Sequence, residues 1–229
     1  MKTILFISDI EGTFTPEDIN SDIEKRKAYN RFTNLLVEIK KRYEADQVIF
    51  SLATSHSQPF YIKHCLTNVK EPFEKNNVMV GKCFLDKMSY QDGECVLYPK
   101  EENSYKLFQV TNYVNQLKEN NIDVVWFGFA DDTLGKDAQL LFKDIMKNDI
   151  PYDVFTPGQN FVSENNLYCS KQRGINGLNE CLISFVGNYR IEDEEEIIEV
   201  IEENEVIEET KDVGFVKRLI RKFNLNNKS

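Results

Sequence analysis

The chain has few residues of the kinds that would settle its class at a glance. Of 229 residues only two are His and one is Trp, and the five Cys, at positions 65, 83, 95, 169 and 181, include no CxxC pair. An odd number of scattered thiols excludes a disulfide scaffold and a Cys-based zinc or redox site, and suits a reducing cytoplasmic setting. With 10 Gly and 6 Pro the chain is neither collagenous nor a flexible low-complexity polymer, and no internal repeat is visible. No apolar run approaches the roughly 20 residues of a membrane-spanning helix, and the opening run Ile4-Leu5-Phe6-Ile7 stops at Ser8 and Asp9, so neither a signal peptide nor a membrane span is expected.

What is present is a folding composition: 41% hydrophobic residues, with 16 Phe and 10 Tyr, against 29% charged. The net charge of −10 is concentrated in one place. Residues 191–212 hold twelve acids and one Lys, whereas 213–229 hold five basic residues and no acid, which leaves the first 190 residues at −4. A nearly neutral body suits an enzyme of small molecules, and a nucleic-acid end is the less favoured partner.

Short β-branched and aromatic runs at Ile4–Ile7, Val48–Ala53 and Val124–Phe129 read as buried strands. Between them, apolar residues at helical spacing predict helices over Ser21–Tyr43, Gln58–Lys70 and Ser104–Asn120. A helix over Ala138–Met146, a short strand at Asp153–Phe155 closed by Pro157-Gly158, and a helix over Ile175–Val186 complete the body. Alternating β and α predicts a parallel sheet in an α/β fold. The domain is expected at 1–188, with a small insertion at 58–103 in which Val78–Val80 and Glu94–Tyr98 form short strands around Asp92-Gly93, and an extension at 189–229. In that extension, aliphatics alternate with glutamates, then Val216, Leu219, Ile220 and Phe223 recur at helical spacing beside Lys and Arg. The basic helix is read first as pairing with the acidic stretch or docking on the body, with self-association, a protein partner through 191–223 or a membrane surface as open alternatives.

Each strong strand ends in oxygen-bearing side chains: Asp9 and Glu11 after the first, Thr54 after the second, and Asp131, Asp132 and Asp137 after the third. Ligands of open α/β sheets bind at the carboxyl ends of strands, so these groups are expected to share one crevice. Such a carboxylate cluster repels itself without a cation, and hard oxygen donors without His or Cys suit Mg²⁺.

The segment Ile4-Leu5-Phe6-Ile7-Ser8-Asp9-Ile10-Glu11-Gly12-Thr13 resembles the first motif, an apolar strand followed by DxDGT, of the haloacid dehalogenase superfamily. Val48 to Thr54 looks like that family's second motif, Lys106 like its third, and Asp131-Asp132 with Asp137 like its acidic fourth; the likeness spans residues 4 to about 157. Glu11 replaces the usual Asp, as it does in the enolase-phosphatase branch, which also reads DIEGT; only one helix fits between Thr13 and Val48, so that branch's helical cap is missing and a minimal cap is expected.

The resemblance implies a Rossmann-like domain and a phosphomonoester hydrolase acting on a small phosphorylated substrate. It implies Asp9 as nucleophile, Glu11 as general acid and base, Thr54 and Lys106 on the phosphoryl oxygens, and Gly12, Thr13, Ser55 and His56 lining the substrate. Mg²⁺ would be held by Asp9, the Glu11 carbonyl and either Asp131 or Asp132, with Asp137 completing the motif. Lys82 or Lys70 stand as alternatives to Lys106, and His64, like His56, reads as a surface or loop residue. A second reading is a non-catalytic domain of this type that acts through partner binding by the charged extension.

Overall fold

The computed structural model describes residues 1–98, 105–146, 149–160 and 162–187. Six parallel strands form the main sheet: β1 (Lys2–Ser8), β2 (Gln47–Leu52), β3 (Val78–Val80), β7 (Asp123–Ala130), β8 (Tyr152–Pro157) and β9 (Leu167–Ser170), in the order β3-β2-β1-β7-β8-β9. Three short antiparallel strands, β4 (Cys83–Leu85), β5 (Met88–Gln91) and β6 (Glu94–Leu97), form a second sheet. Among the described residues, five helices flank the main sheet: α1 (Asp22–Arg42), α2 (Pro59–Asn76), α3 (Lys106–Glu119), α4 (Gly135–Ile145) and α5 (Gly174–Gly187). The architecture is α/β and compatible with a Rossmann-like fold.

Alternation along β1 shows how the sequence makes two layers, because successive strand side chains face opposite sides of a sheet. Ile4 and Phe6 join one core with residues of α1, α2 and α5, among them Phe32, Ile62 and Leu182. Leu5 and Ile7 join a second core with Leu107 and Val114 of α3 and Phe142 of α4. The first core is aromatic at its centre: the Phe6 ring lies 5.7 Å from Phe32, 6.2 Å from Trp126 and 5.6 Å from Phe155. Such offset and edge contacts suit ring quadrupoles and add to the area buried.

The chain winds from β1 outward to β3 and then returns to β7 beside β1, so the strand order reverses between β1 and β7. That switch point opens a crevice at the carboxyl ends of the two strands.

Two expectations are corrected by the structure. Val78–Val80 is an edge strand of the main sheet, paired in parallel with β2, and α2 packs with α1, so the extra piece narrows from 58–103 to the three-stranded sheet at 83–97. Helix α2 also runs to Asn76 rather than stopping near Lys70. Pro72 lies inside it and cannot donate a helical hydrogen bond, but Pro72 and Phe73 are buried against the core, which offsets that loss. Among the described residues, no helix is long and apolar enough to cross a membrane. Residues 99–104, including the expected helix cap Ser104, and the whole 189–229 extension lie outside the described residues.

Candidate active site

Parallel register brings the two central acids together. Ser8 pairs with Ala130 across β1 and β7, the Asp9 amide donates to the Ala130 carbonyl at 2.7 Å, and the Asp131 amide donates to the Phe155 carbonyl at 3.0 Å. Asp9 and Asp131 therefore leave adjacent strands side by side, both nearly excluded from water. Two buried carboxylates repel unless a cation joins them.

Lys106, the first residue of α3, supplies that cation: its Nζ lies 2.8 Å from Asp9 Oδ1 and 2.5 Å from Asp131 Oδ2, with 9% of its side chain exposed. Burial works against the lysine charge, but Asp131 and Asp9 outweigh it and hold its pKa above the ordinary value. Burial pushes the Asp9 carboxyl up to about 7; Lys106 pulls it back and Asp131 adds to the rise.

Asp131 and Asp132, though adjacent in sequence, do different work. Asp131 Oδ1 accepts from the Thr133 amide at 2.9 Å, the Thr133 hydroxyl at 2.9 Å and the Leu134 amide at 2.8 Å, which fixes the turn into α4. Its other oxygen faces Lys106, so both are engaged. Asp132 instead accepts at Oδ2 from Arg173 Nη2 at 2.7 Å, and Gln159 donates to its main-chain carbonyl. Burial raises the Asp132 pKa while Arg173 opposes the rise.

The loop after β1 is built around Gly12, whose φ of +72° suits glycine. A Cβ there would lie 2.2 Å from Asp132 Oδ2 and 2.3 Å from Arg173 Nη2, so glycine also leaves room for that ion pair. The loop is clasped from the far end of the body: the Gly174 amide donates to the Gly12 carbonyl at 2.7 Å and the Ile175 amide to the Thr15 carbonyl at 2.8 Å. These are amides at the start of α5, which lack partners within their own helix. Thr13 is buried, with its hydroxyl unpaired.

Glu11 turns toward the loop after β2. The Thr54 hydroxyl donates to Glu11 Oε2 at 3.0 Å and accepts from the His56 amide at 3.1 Å, while His56 Nε2 lies 3.1 Å from Glu11 Oε1. The Thr54 hydroxyl is thus directed at Glu11. The small sheet braces this loop, since the Thr54 amide donates to the Phe84 carbonyl at 2.9 Å and the Asp86 amide to the His56 carbonyl at 3.1 Å. Ser55 and His56 are exposed.

The structure therefore brings Asp9, Lys106 and Asp131 into direct contact, and joins Glu11, Thr54 and His56 in a second group. Asp137 does not join them: it is exposed in the first turn of α4. The alternatives Lys70 and Lys82 lie elsewhere, Lys70 near Glu74 on the surface of α2 and Lys82 over the Phe84 ring. Arg173 is the group that sequence reasoning missed. It follows a four-residue strand, β9, that carries no alternating pattern, and nothing local marks it as different from Lys171.

Among the described residues, no group of three or more His, Cys, Asp or Glu side chains is arranged to hold a metal ion. The donors at the crevice are nevertheless all oxygens, and four carboxylates, Asp9, Glu11, Asp131 and Asp132, stand against two fixed cations, Lys106 and Arg173. That donor chemistry suits a hard divalent ion, which needs only one or two carboxylates together with water and carbonyl oxygen. Compared with models of known protein families and with curated proteins, the chain matches none.

Proposed function

We propose that the chain is a Mg²⁺-dependent phosphomonoester hydrolase of the haloacid dehalogenase type, working through an aspartyl-phosphate. The observation that carries this reading is the Lys106 ammonium bridging Asp9 and Asp131 at the strand-order switch point. A carboxylate nucleophile facing a phosphate dianion needs a fixed positive charge beside it, and Lys106 is held where that charge is required.

Asp9 Oδ attacks phosphorus, forming an acyl-phosphate bond as the ester P–O bond breaks. Glu11 delivers its proton to the departing alkoxide, then takes a proton from the water that attacks phosphorus, releasing orthophosphate and restoring Asp9. Thr54 and His56 orient Glu11 through its two oxygens. Lys106 stays charged and faces the phosphoryl oxygens from the side of Asp131. Asp9 and Asp132, with the Glu11 main-chain carbonyl, would hold Mg²⁺, which when bound supplies charge neutralisation at the phosphoryl group. Asp132 is preferred to Asp131 because both Asp131 oxygens are already engaged.

The test is phosphate release from an aryl phosphate with and without Mg²⁺, for the parent chain and for Asp9→Asn. Mg²⁺-dependent turnover that the variant lacks is the expected result. Turnover unchanged in Asp9→Asn would overturn the covalent route, and no turnover on any ester would favour the non-catalytic reading.

A further inference from the structure

The leaving group of such a reaction has a defined side. Its oxygen must take the proton carried by Glu11, so whatever is attached to that oxygen sits beside Glu11 and its neighbours. The neighbours form a row of rings. His56 Nε2 lies 3.1 Å from Glu11 Oε1, and the His56 ring stacks on Tyr61 with centroids 4.5 Å apart and planes 20° from parallel. Tyr61 meets Phe60 edge to face at 5.7 Å, and Phe60 stacks on His64 at 6.1 Å with 21° between planes. The row runs from the proton donor outward along the first turns of α2.

A pair such as Phe60 and His64, four residues apart on a helix, also arises as simple helix support. Here the pair leaves 65% of Phe60 exposed, and the row continues through Tyr61 and His56 to the proton donor. A lone exposed ring is ordinary, but this row is contiguous and ends at the proton donor, and every nucleobase offers a π-face to an aromatic side chain. The net charge of −4 over residues 1–190 disfavours a long polyanion, so a small molecule suits this mouth better than a strand end.

Resting on the proposed phosphatase reading, we infer that the substrate is a nucleoside monophosphate, whose base stacks on the His56–Tyr61–Phe60 row while its phosphate meets Asp9 and Lys106. The ribose then spans from the scissile oxygen at Glu11 to the rings.

The test compares kcat/KM for a nucleoside 5′-monophosphate, ribose 5-phosphate, glycerol phosphate and a terminally phosphorylated oligonucleotide, in the parent chain and in Phe60→Ala, whose side chain is mostly in solvent. The mononucleotide should be preferred over ribose 5-phosphate by about tenfold or more, the scale of one stacked base. Phe60→Ala should raise KM for the mononucleotide about tenfold, with a much smaller change for glycerol phosphate. Binding to Asp9→Asn by calorimetry gives a readout without turnover, and should show the same preference for the mononucleotide. Hydrolysis of all four esters at similar efficiency would overturn this inference while leaving the phosphatase reading intact. Preference for the oligonucleotide would overturn the assignment to a small molecule. No hydrolysis of any ester would overturn both.

Discussion

Lys106 Nζ sits 2.8 Å from Asp9 Oδ1 inside the protein, although 97 residues separate the two along the chain. With 9% and 8% of their side chains exposed, neither has bulk water as a substitute partner. Lys106→Met should therefore abolish turnover and cost about 3 kcal/mol or more of stability, since removing one partner leaves buried carboxylates facing each other. The stability loss should be larger at pH 8 than at pH 5.5: Lys106 holds the Asp9 pKa down to about 7, its removal raises that pKa further, and so the variant's folded state takes up the relieving proton first as pH falls toward 7. Thermal or denaturant unfolding of both chains at pH 8 and pH 5.5 checks this; an equal loss at both pH values would contradict it.

Asp131→Asn and Asp132→Asn should differ in kind. The first disturbs a carboxylate that accepts three hydrogen bonds at one oxygen and faces Lys106 with the other, so it should mainly lower stability. The second leaves that turn intact and should raise the Mg²⁺ concentration needed for half-maximal turnover, roughly tenfold or more. Mg²⁺ titrations of activity beside unfolding curves distinguish the two. The opposite pattern would make Asp131 the metal ligand.

Gly12→Ala places a methyl group where Asp132 Oδ2 and Arg173 Nη2 now lie, at a φ that side chains resist. The backbone strain alone is worth roughly 1–2 kcal/mol. Because the clashing atoms are ends of side chains, the expected outcome is a folded protein with its Asp132–Arg173 pair displaced and its turnover strongly reduced. Circular dichroism and steady-state kinetics on the variant test both halves of that statement.

A fourth buried carboxyl lies away from the crevice. The indole of Trp126, the only Trp in the chain, donates to Asp153 Oδ2 at 2.7 Å. Burial raises the Asp153 pKa to about 6, against the pull of the Trp126 hydrogen bond and of Arg42. The folded state then binds a proton more tightly than the unfolded one, so this group's contribution to stability falls as pH rises from about 4 to about 6. Trp126 fluorescence should titrate near pH 6, and Asp153→Asn should abolish that transition. A transition that survives the substitution would assign it to another group.

Much of this architecture is legible in the sequence wherever one residue type decides the local outcome. Runs such as Phe6 and Ile7 or Trp126 to Phe129 are too apolar and too β-branched or aromatic for anything but a buried strand, and a polar residue directly after such a run must emerge at the sheet's carboxyl end. Asp9, Thr54 and Asp131 follow from that rule. Lys106 is reached only through the family resemblance, because a lysine at a helix start has no local mark that separates a buried ion pair from a solvated tip. Strands β4, β5 and β9 are not legible because three or four residues are too few to show alternation and, unlike the equally short Val78–Val80, they carry no β-branched residue. Asp137 was placed by motif distance, and the helix turned it to solvent instead. Arg173 was invisible because its role depends on a contact with Asp132 across 41 residues, which no local pattern encodes.

The clasp between α5 and the loop after β1 also bears on when the protein becomes competent during its synthesis. Asp9, Glu11 and Gly12 are made about 160 residues before the amides of Gly174 and Ile175 that tie down the loop holding them. A ribosome that has translated through α4 has already supplied Asp9, Lys106 and Asp131, but the nascent loop still lacks its fastening and Asp132 still lacks Arg173. Maturation of the crevice thus waits for Arg173 and the start of α5 to be made, whatever the order in which the strands assemble.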